Sequence, residues 1–197
     1  MNDMKTQKKN KEIRNCSSLI RRKDNESRMV EGIAVVFNSD SQDMGFIENI
    51  SPDAITQETI DNSDIFAYLN HDESRGVLAR RRYGKGTLQL RLQDDGLYYS
   101  FEAPHTQLGD ELLEYLNRGE ITTSSFAFIV DENDGDEWES GEDGVLHRRI
   151  KKIYKICDVS PVFEPAYLET ECVKRKIDTM QSLIEKLDGI NKEIENL

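Results

Sequence analysis

Residues 87–92, Thr87-Leu88-Gln89-Leu90-Arg91-Leu92, alternate polar and apolar side chains without a break. Asp94-Asp95-Gly96 follows, and a second strand-like run, 97–102, begins at once. Successive side chains of a strand point to opposite faces, so a period of two buries one face and wets the other. Asp-Gly between two such runs is a hairpin signal. This part of the chain is therefore committed to β-pairing, and much of the rest repeats the theme. Residues 30–37 are rich in β-branched side chains around Gly32 and read as a strand bent at a glycine. Residues 44–50, 65–69 and 77–81 are further short candidates, bounded by Asn38-Ser39-Asp40-Ser41, Asn70-His71-Asp72 and Gly84-Lys85-Gly86.

Helical signals are few. Ser51-Pro52-Asp53 combines a capping serine, a proline at the first helical position and an acid in the first turn, which predicts a helix to about Ile60. Leu108, Leu112, Leu113 and Leu116 recur at helical spacing between Thr106, a cap, and Gly119, a stop. Beyond Thr170, Ile177, Met180, Ile184, Leu187 and Ile194 recur at steps of three and four, with Asn191 at one core position. This is a short seam like that of a coiled coil, fit to dock on the domain or on a partner helix. Residues 131–143 are acidic and lack periodicity, so they read as an exposed loop at a hairpin tip, without the ligand spacing of a calcium loop. A basic alternating strand resumes over 145–157 and continues through Asp158-Val159-Ser160 to a proline-bounded end. No βαβ alternation and no glycine-rich phosphate loop occur. The fold predicted is mainly β with peripheral helices (α+β), a closed or nearly closed antiparallel barrel plus a C-terminal helix.

The 197 residues suffice for one domain with tails: a basic, disordered tail over 1–28 with a short strand near Ser18-Leu19-Ile20, a folded part over 29–170, and a helical segment over 171–197. A net charge of −12 argues against a general nucleic-acid binder, which needs a basic surface. Cys16, Cys157 and Cys172 are widely spaced and odd in number, which points to a reducing compartment and no zinc site. Cys157 reads as a small buried residue. No apolar run is long enough for a membrane span and no signal-peptide core is present, so a soluble protein made in a cytoplasm is expected.

Chemistry is concentrated in Ile121-Thr122-Thr123-Ser124-Ser125-Phe126-Ala127-Phe128 and in Asn70-His71-Asp72. A serine hydroxyl is a weak nucleophile at neutral pH and needs a base within hydrogen-bond reach. Histidine, with an unperturbed pKa of about 6.5, suits that task. Ser124 shares a strand face with Phe126, Phe128 and Val130, whereas Ser125 shares the other with Thr123, Ala127 and Ile129. At most one of the two serines meets the histidine from this strand.

Several segments in order, Glu31-Gly32-Ile33-Ala34, Phe46-Ile47-Glu48-Asn49-Ile50-Ser51-Pro52-Asp53-Ala54-Ile55, Leu69-Asn70-His71-Asp72, Gly86-Thr87-Leu88-Gln89-Leu90, Gly96-Leu97, Gly119-Glu120-Ile121, Ser125-Phe126-Ala127-Phe128, Asp158-Val159-Ser160-Pro161-Val162 and Pro165-Ala166-Tyr167, resemble the prohead protease family of tailed bacteriophages. The resemblance spans residues 29–170 and rests on order and spacing rather than on any one motif. It implies a barrel ringed by helices, like the herpesvirus capsid-maturation protease. It further implies a serine endopeptidase that works in the assembling procapsid, in the cytoplasm of the bacterial host. There it would remove the scaffolding segment of the major capsid protein and cut itself, with both chain ends as candidates for removal.

By position, His71 matches the family's general base and Ser125 its nucleophile, with Ser124 packed under the strand beside the phenylalanines. Asp158 stands where the family has an acid, commonly Glu, before Val-Ser, and is one methylene shorter. The herpesvirus relatives use a second histidine, which leaves His105 and His147 as alternatives. Asp72 reads as a turn acid. Arg148 and Arg149 either orient an oxyanion donor or pair with the acidic loop. The partners implied are the major capsid protein with its scaffolding segment and a second copy of the chain, with no membrane, no specific nucleic acid, no cofactor and no metal. A non-catalytic capsid assembly or scaffolding protein is the alternative that the charged ends and the helical tail would suit. A small-molecule esterase or amidase of the common α/β type would carry a Gly-x-Ser-x-Gly elbow, which is absent.

Overall fold

The computed structural model describes residues 10–24, 27–141 and 144–163, over 15–19 as backbone alone. In chain order the elements are β1 (Glu12–Arg22), β2 (Met29–Val36), β3 (Ile47–Ile50), α1 (Gln57–Asp61), β4 (Asp64–Ala67), β5 (Ala79–Arg82), β6 (Lys85–Gly86), β7 (Gln89–Gln93), β8 (Gly96–Glu102), α2 (Gln107–Arg118), β9 (Ile121–Val130), β10 (Asp136–Ser140), β11 (Leu146–Ile150) and β12 (Ile153–Phe163). The fold is mainly β with few helices. Nine strands form one sheet in the order β6-β5-β4-β12-β9-β1-β2-β8-β7, and β10-β11-β3 form a second.

The predicted antiparallel barrel needs two corrections. The β12–β4 and β11–β3 pairs are parallel, so the sheets are mixed. Nor, among the described residues, is the large sheet closed by hydrogen bonds: β6 and β7 are its two edges. Those edges are nonetheless consecutive in the chain, with only Thr87 and Leu88 between them. Three residue steps span at most about 11 Å, so the sheet curls until its edges nearly meet. Short, polar edge strands are satisfied by water and need no partner; both residues of β6 are exposed.

The core fills the inside of this curl. Val30, Leu97, Phe101, Leu112, Ile121, Phe126 and Phe128 are all buried there, and the Phe126 and Phe128 rings stack at 4.6 Å between centroids. Helix α2 begins where the sequence places it, with the Thr106 hydroxyl accepting from the Gly109 amide, and ends at Gly119 in left-handed backbone, φ 70°. It buries Leu112 and Leu113. The β7–β8 hairpin also forms, but Asp94 and Asp95 make its loop and Gly96 is already the first residue of β8. Gly96 answers a close approach instead: a Cβ there would lie 2.3 Å from the Val35 carbonyl oxygen on β2.

Four further expectations are corrected. The tail expected over 1–28 contains β1, which runs between β9 and β2 inside the sheet. The helix expected from Ser51 to Ile60 is broken into a single turn at Pro52–Ala54 and α1, because Thr56 opens a new capping box with Thr59. The acidic segment is not all loop, since Asp136–Ser140 forms β10 against β11. The basic strand of 145–157 is two, interrupted at Lys151-Lys152. The expected C-terminal helix, 171–197, lies outside the described residues.

Candidate active site

Three neighbouring strands supply the site. In the row Asn15–Ser125–Ser160, β9 is flanked by β1 on one side and β12 on the other. Strand alternation sends Ser124 and Ser125 to opposite faces, as expected from the sequence. Ser124 is buried on the core side, where its hydroxyl meets the Tyr99 hydroxyl at 2.6 Å. Ser125 faces the other way.

Asp158 reaches that same face only through an irregularity. On β12, Ile156 pairs with Phe128 and Asp158 with Ala127, so the register shifts at Cys157. Without the shift, residues 156 and 158 would share a face, because side chains two apart on a strand point the same way. The bulge leaves Ile156 in the core and turns the carboxylate towards Ser125. Cys157 itself is half-buried, and burial pushes its thiol pKa up, away from the reactive thiolate.

His71 comes from beyond the end of β4, which pairs with the other edge of β12. It sits on a tight turn in which Asn70 and His71 have φ of 56° and 57° and the Asp72 amide donates to the Leu69 carbonyl at 3.1 Å. The Asn70 amide ties this turn to β12 through the Pro161 carbonyl at 2.8 Å. Left-handed backbone costs a non-glycine residue roughly 1–2 kcal/mol, and such strain gathers where a side chain must be aimed. Asp72, read as a turn acid, accepts from the Ser74 amide.

The three side chains meet. His71 Nε2 lies 2.6 Å from Ser125 Oγ, and His71 Nδ1 lies 2.5 Å from Asp158 Oδ1. Asp is thus long enough on this bulged strand. The Ser160 hydroxyl donates to Asp158 Oδ1 at 2.8 Å and accepts from the Tyr68 amide at 3.4 Å. Lys11 Nζ stands 2.9 Å from Oδ2. Asp158 is fully buried, and burial alone would raise its pKa. The hydrogen bond and charge of His71, with Lys11 and Ser160, outweigh burial and hold the carboxyl below its ordinary value. Lys11 is raised in turn, Asp158 overcoming the desolvation of the ammonium.

The other candidates lie elsewhere. His105 is exposed ahead of α2, and His147 lies on β11, where it lines a cavity of about 570 Å³ with Trp138 and Arg149. Arg148 is buried among carboxylates: Glu12, Glu48 and Asp136 all bond its guanidinium. It therefore pairs with the acidic segment and with β1 and β3 as well, and is taken up by carboxylates rather than oriented for an oxyanion. Arg149 is exposed. Sequence reading missed Lys11, hidden in a basic run, and Ser160, which its place in the Asp158-Val159-Ser160 motif could have flagged.

A hydroxyl, an imidazole and a buried carboxylate in contact order are the groups on which serine hydrolases run. A scan against protein families agrees with that class and narrows it: the model for caudovirus prohead serine proteases matches residues 16–183, and the chain belongs to that family. It is thereby a serine protease of capsid maturation, a process that brings it together with capsid proteins in the assembling prohead. No curated protein and no solved structure matches the chain. Among the described residues no helix is long and apolar enough to cross a membrane.

Proposed function

We propose that the chain is an endopeptidase that cuts the scaffolding segment from the major capsid protein, and cuts itself, inside the procapsid in the bacterial cytoplasm, working as a homo-oligomer. The reading rests on the contact chain Ser125–His71–Asp158. Ser125 is the nucleophile: its Oγ attacks the scissile carbonyl carbon while its proton passes to His71 Nε2. Asp158 holds the Nδ1 proton in place and stabilises the imidazolium so formed. His71 then protonates the leaving amine, an acyl-enzyme remains on Oγ, and water releases it by the same proton route in reverse.

The test is intact-mass spectrometry of wild type, Ser125→Ala and His71→Ala, each co-expressed with the major capsid protein. Truncation is expected with wild type alone. Cleavage by a well-folded Ser125→Ala chain would overturn the assignment. One observation favours the second reading, a non-catalytic assembly module: Ser125 is fully buried. Truncation with none of the three chains, in assembled procapsids, would decide for it.

A further inference from the structure

The burial of Ser125 has an identifiable cause, and it lies in residues 10–15. The Ser125 hydroxyl has one proton and two acceptors: His71 Nε2 at 2.6 Å and the Arg14 carbonyl at 2.8 Å. When the proton goes to Arg14, the base does not hold it and the nucleophile is not activated. The same segment reaches the far end of the site, where Lys11 sits on Asp158 Oδ2 and also faces Glu73. Residues 10–15 thus engage both ends of the contact chain.

This segment is set apart from the rest of β1. A double register shift gathers residues 16, 17 and 18 opposite Ser124. Beyond that bulge only Ile20, Arg21 and Arg22 pair with β2; Glu12–Asn15 pair with β9 alone. The family match begins at residue 16, after the segment and at the bulge. The other edge of the segment is held by side chains. Arg14 gives two hydrogen bonds to Glu48, at 2.7 and 2.9 Å, and Glu12 bonds Arg148. Glu48 is only 3% exposed. If the segment leaves, that carboxylate keeps a single bond among the described residues, to Arg148, which Asp136 shares. A buried acid in that position calls for a cation.

We infer that residues 10–15 lie in the peptide-binding cleft as a built-in mimic of substrate. A substrate then adds to β9 as an extended strand in their place, with a basic side chain where Arg14 meets Glu48. Main-chain bonds to a strand edge give such binding its affinity, and pockets for alternate side chains give its specificity. The inference rests on Ser125 being the nucleophile. Until the segment is displaced the site is closed, and the reactive fraction of the protein is the fraction with the strand out.

The test uses the full chain and a fluorophosphonate probe: Ser125 Oγ forms a bond to its phosphorus, the P–F bond breaks, fluoride departs and the hydroxyl proton passes to His71. Arg14→Glu sets like charges against each other at Glu48 and is expected to speed labelling about tenfold or more over wild type. Circular dichroism and thermal melting establish that the variant is folded. A synthetic peptide of the sequence Asn10-Lys11-Glu12-Ile13-Arg14-Asn15, added to the variant, is expected to slow labelling again, and the same peptide with Glu at the arginine position is not. An unfolded variant would respond to neither peptide, so the pair separates release of the strand from loss of structure. Equal labelling of wild type and variant overturns the inference and leaves the nucleophile standing, as does labelling of the variant that neither peptide slows. Labelling that persists in Ser125→Ala, or that no chain shows, overturns the nucleophile and the inference with it.

Discussion

At the scale of single residues, Asp158 carries the most. Replacing it by Asn keeps the shape of the contact to His71 but lets the imidazole take the wrong tautomer. Turnover is expected to fall by roughly 10³–10⁴-fold, measured on a capsid-derived substrate, with the circular dichroism spectrum unchanged. The same carboxyl also ties stability to pH. Its folded pKa lies below the ordinary 3.8, so the folded state binds the proton less readily than the unfolded chain. The stabilisation is complete above the ordinary value and is lost as the pH falls through the lower folded one. Urea midpoints measured from pH 6 down to pH 2 should fall in that window for wild type, and fall less for Asp158→Asn. The choice between Ser124 and Ser125 came from the family resemblance, while their opposite facing was legible from strand alternation. The facing of Asp158 was not, since the bulge at Cys157 adds a residue that no period-two count anticipates.

Among elements, β2, β8 and β9 meet at one tight point behind the nucleophile. A Cβ on Gly32 would lie 2.6 Å from the Tyr99 ring, whose hydroxyl in turn holds Ser124. Tyr99 is buried and has no room to swing aside. Gly32→Ala is expected to cost about 1–3 kcal/mol by overpacking, read as a lower denaturant midpoint. Tyr99→Phe leaves the buried Ser124 hydroxyl without its partner and is expected to cost about 1–3 kcal/mol, with little change in turnover. Elements with a complete local code were legible: α2 carries its leucine stripe and both of its ends, and the β7–β8 hairpin carries alternation and a turn. β10 was not, because four of its five residues are exposed. A strand with no buried face has no hydrophobic period to read.

At the scale of the whole molecule, a charge network joins the two sheets beside the core that Ile50 and Ile150 share with the large sheet. Arg148 on β11 and Arg14 on β1 share the carboxylates Glu12 and Glu48 from β1 and β3, and Asp136 on β10 completes the group. Arg148→Ala leaves three carboxylates facing one remaining arginine and is expected to cost about 3 kcal/mol or more, seen as a loss in thermal midpoint. This network also explains why residues 12–15 read as solvated tail: their charges are answered by residues far along the chain, which composition cannot show. The mainly β character was legible from the run of short strands, but the parallel pairing of β12 with β4 was not, since pairing across such a distance leaves no local mark. That pairing sets an order in time. β12 is the last described strand to leave the ribosome, yet it lies between β4 and β9, whose neighbouring residues supply the histidine and the serine. A growing polypeptide folds behind its own synthesis, and until residue 158 has emerged the two older parts have nothing to bridge them. The contact chain Ser125–His71–Asp158 therefore closes only once β12 is seated between β4 and β9.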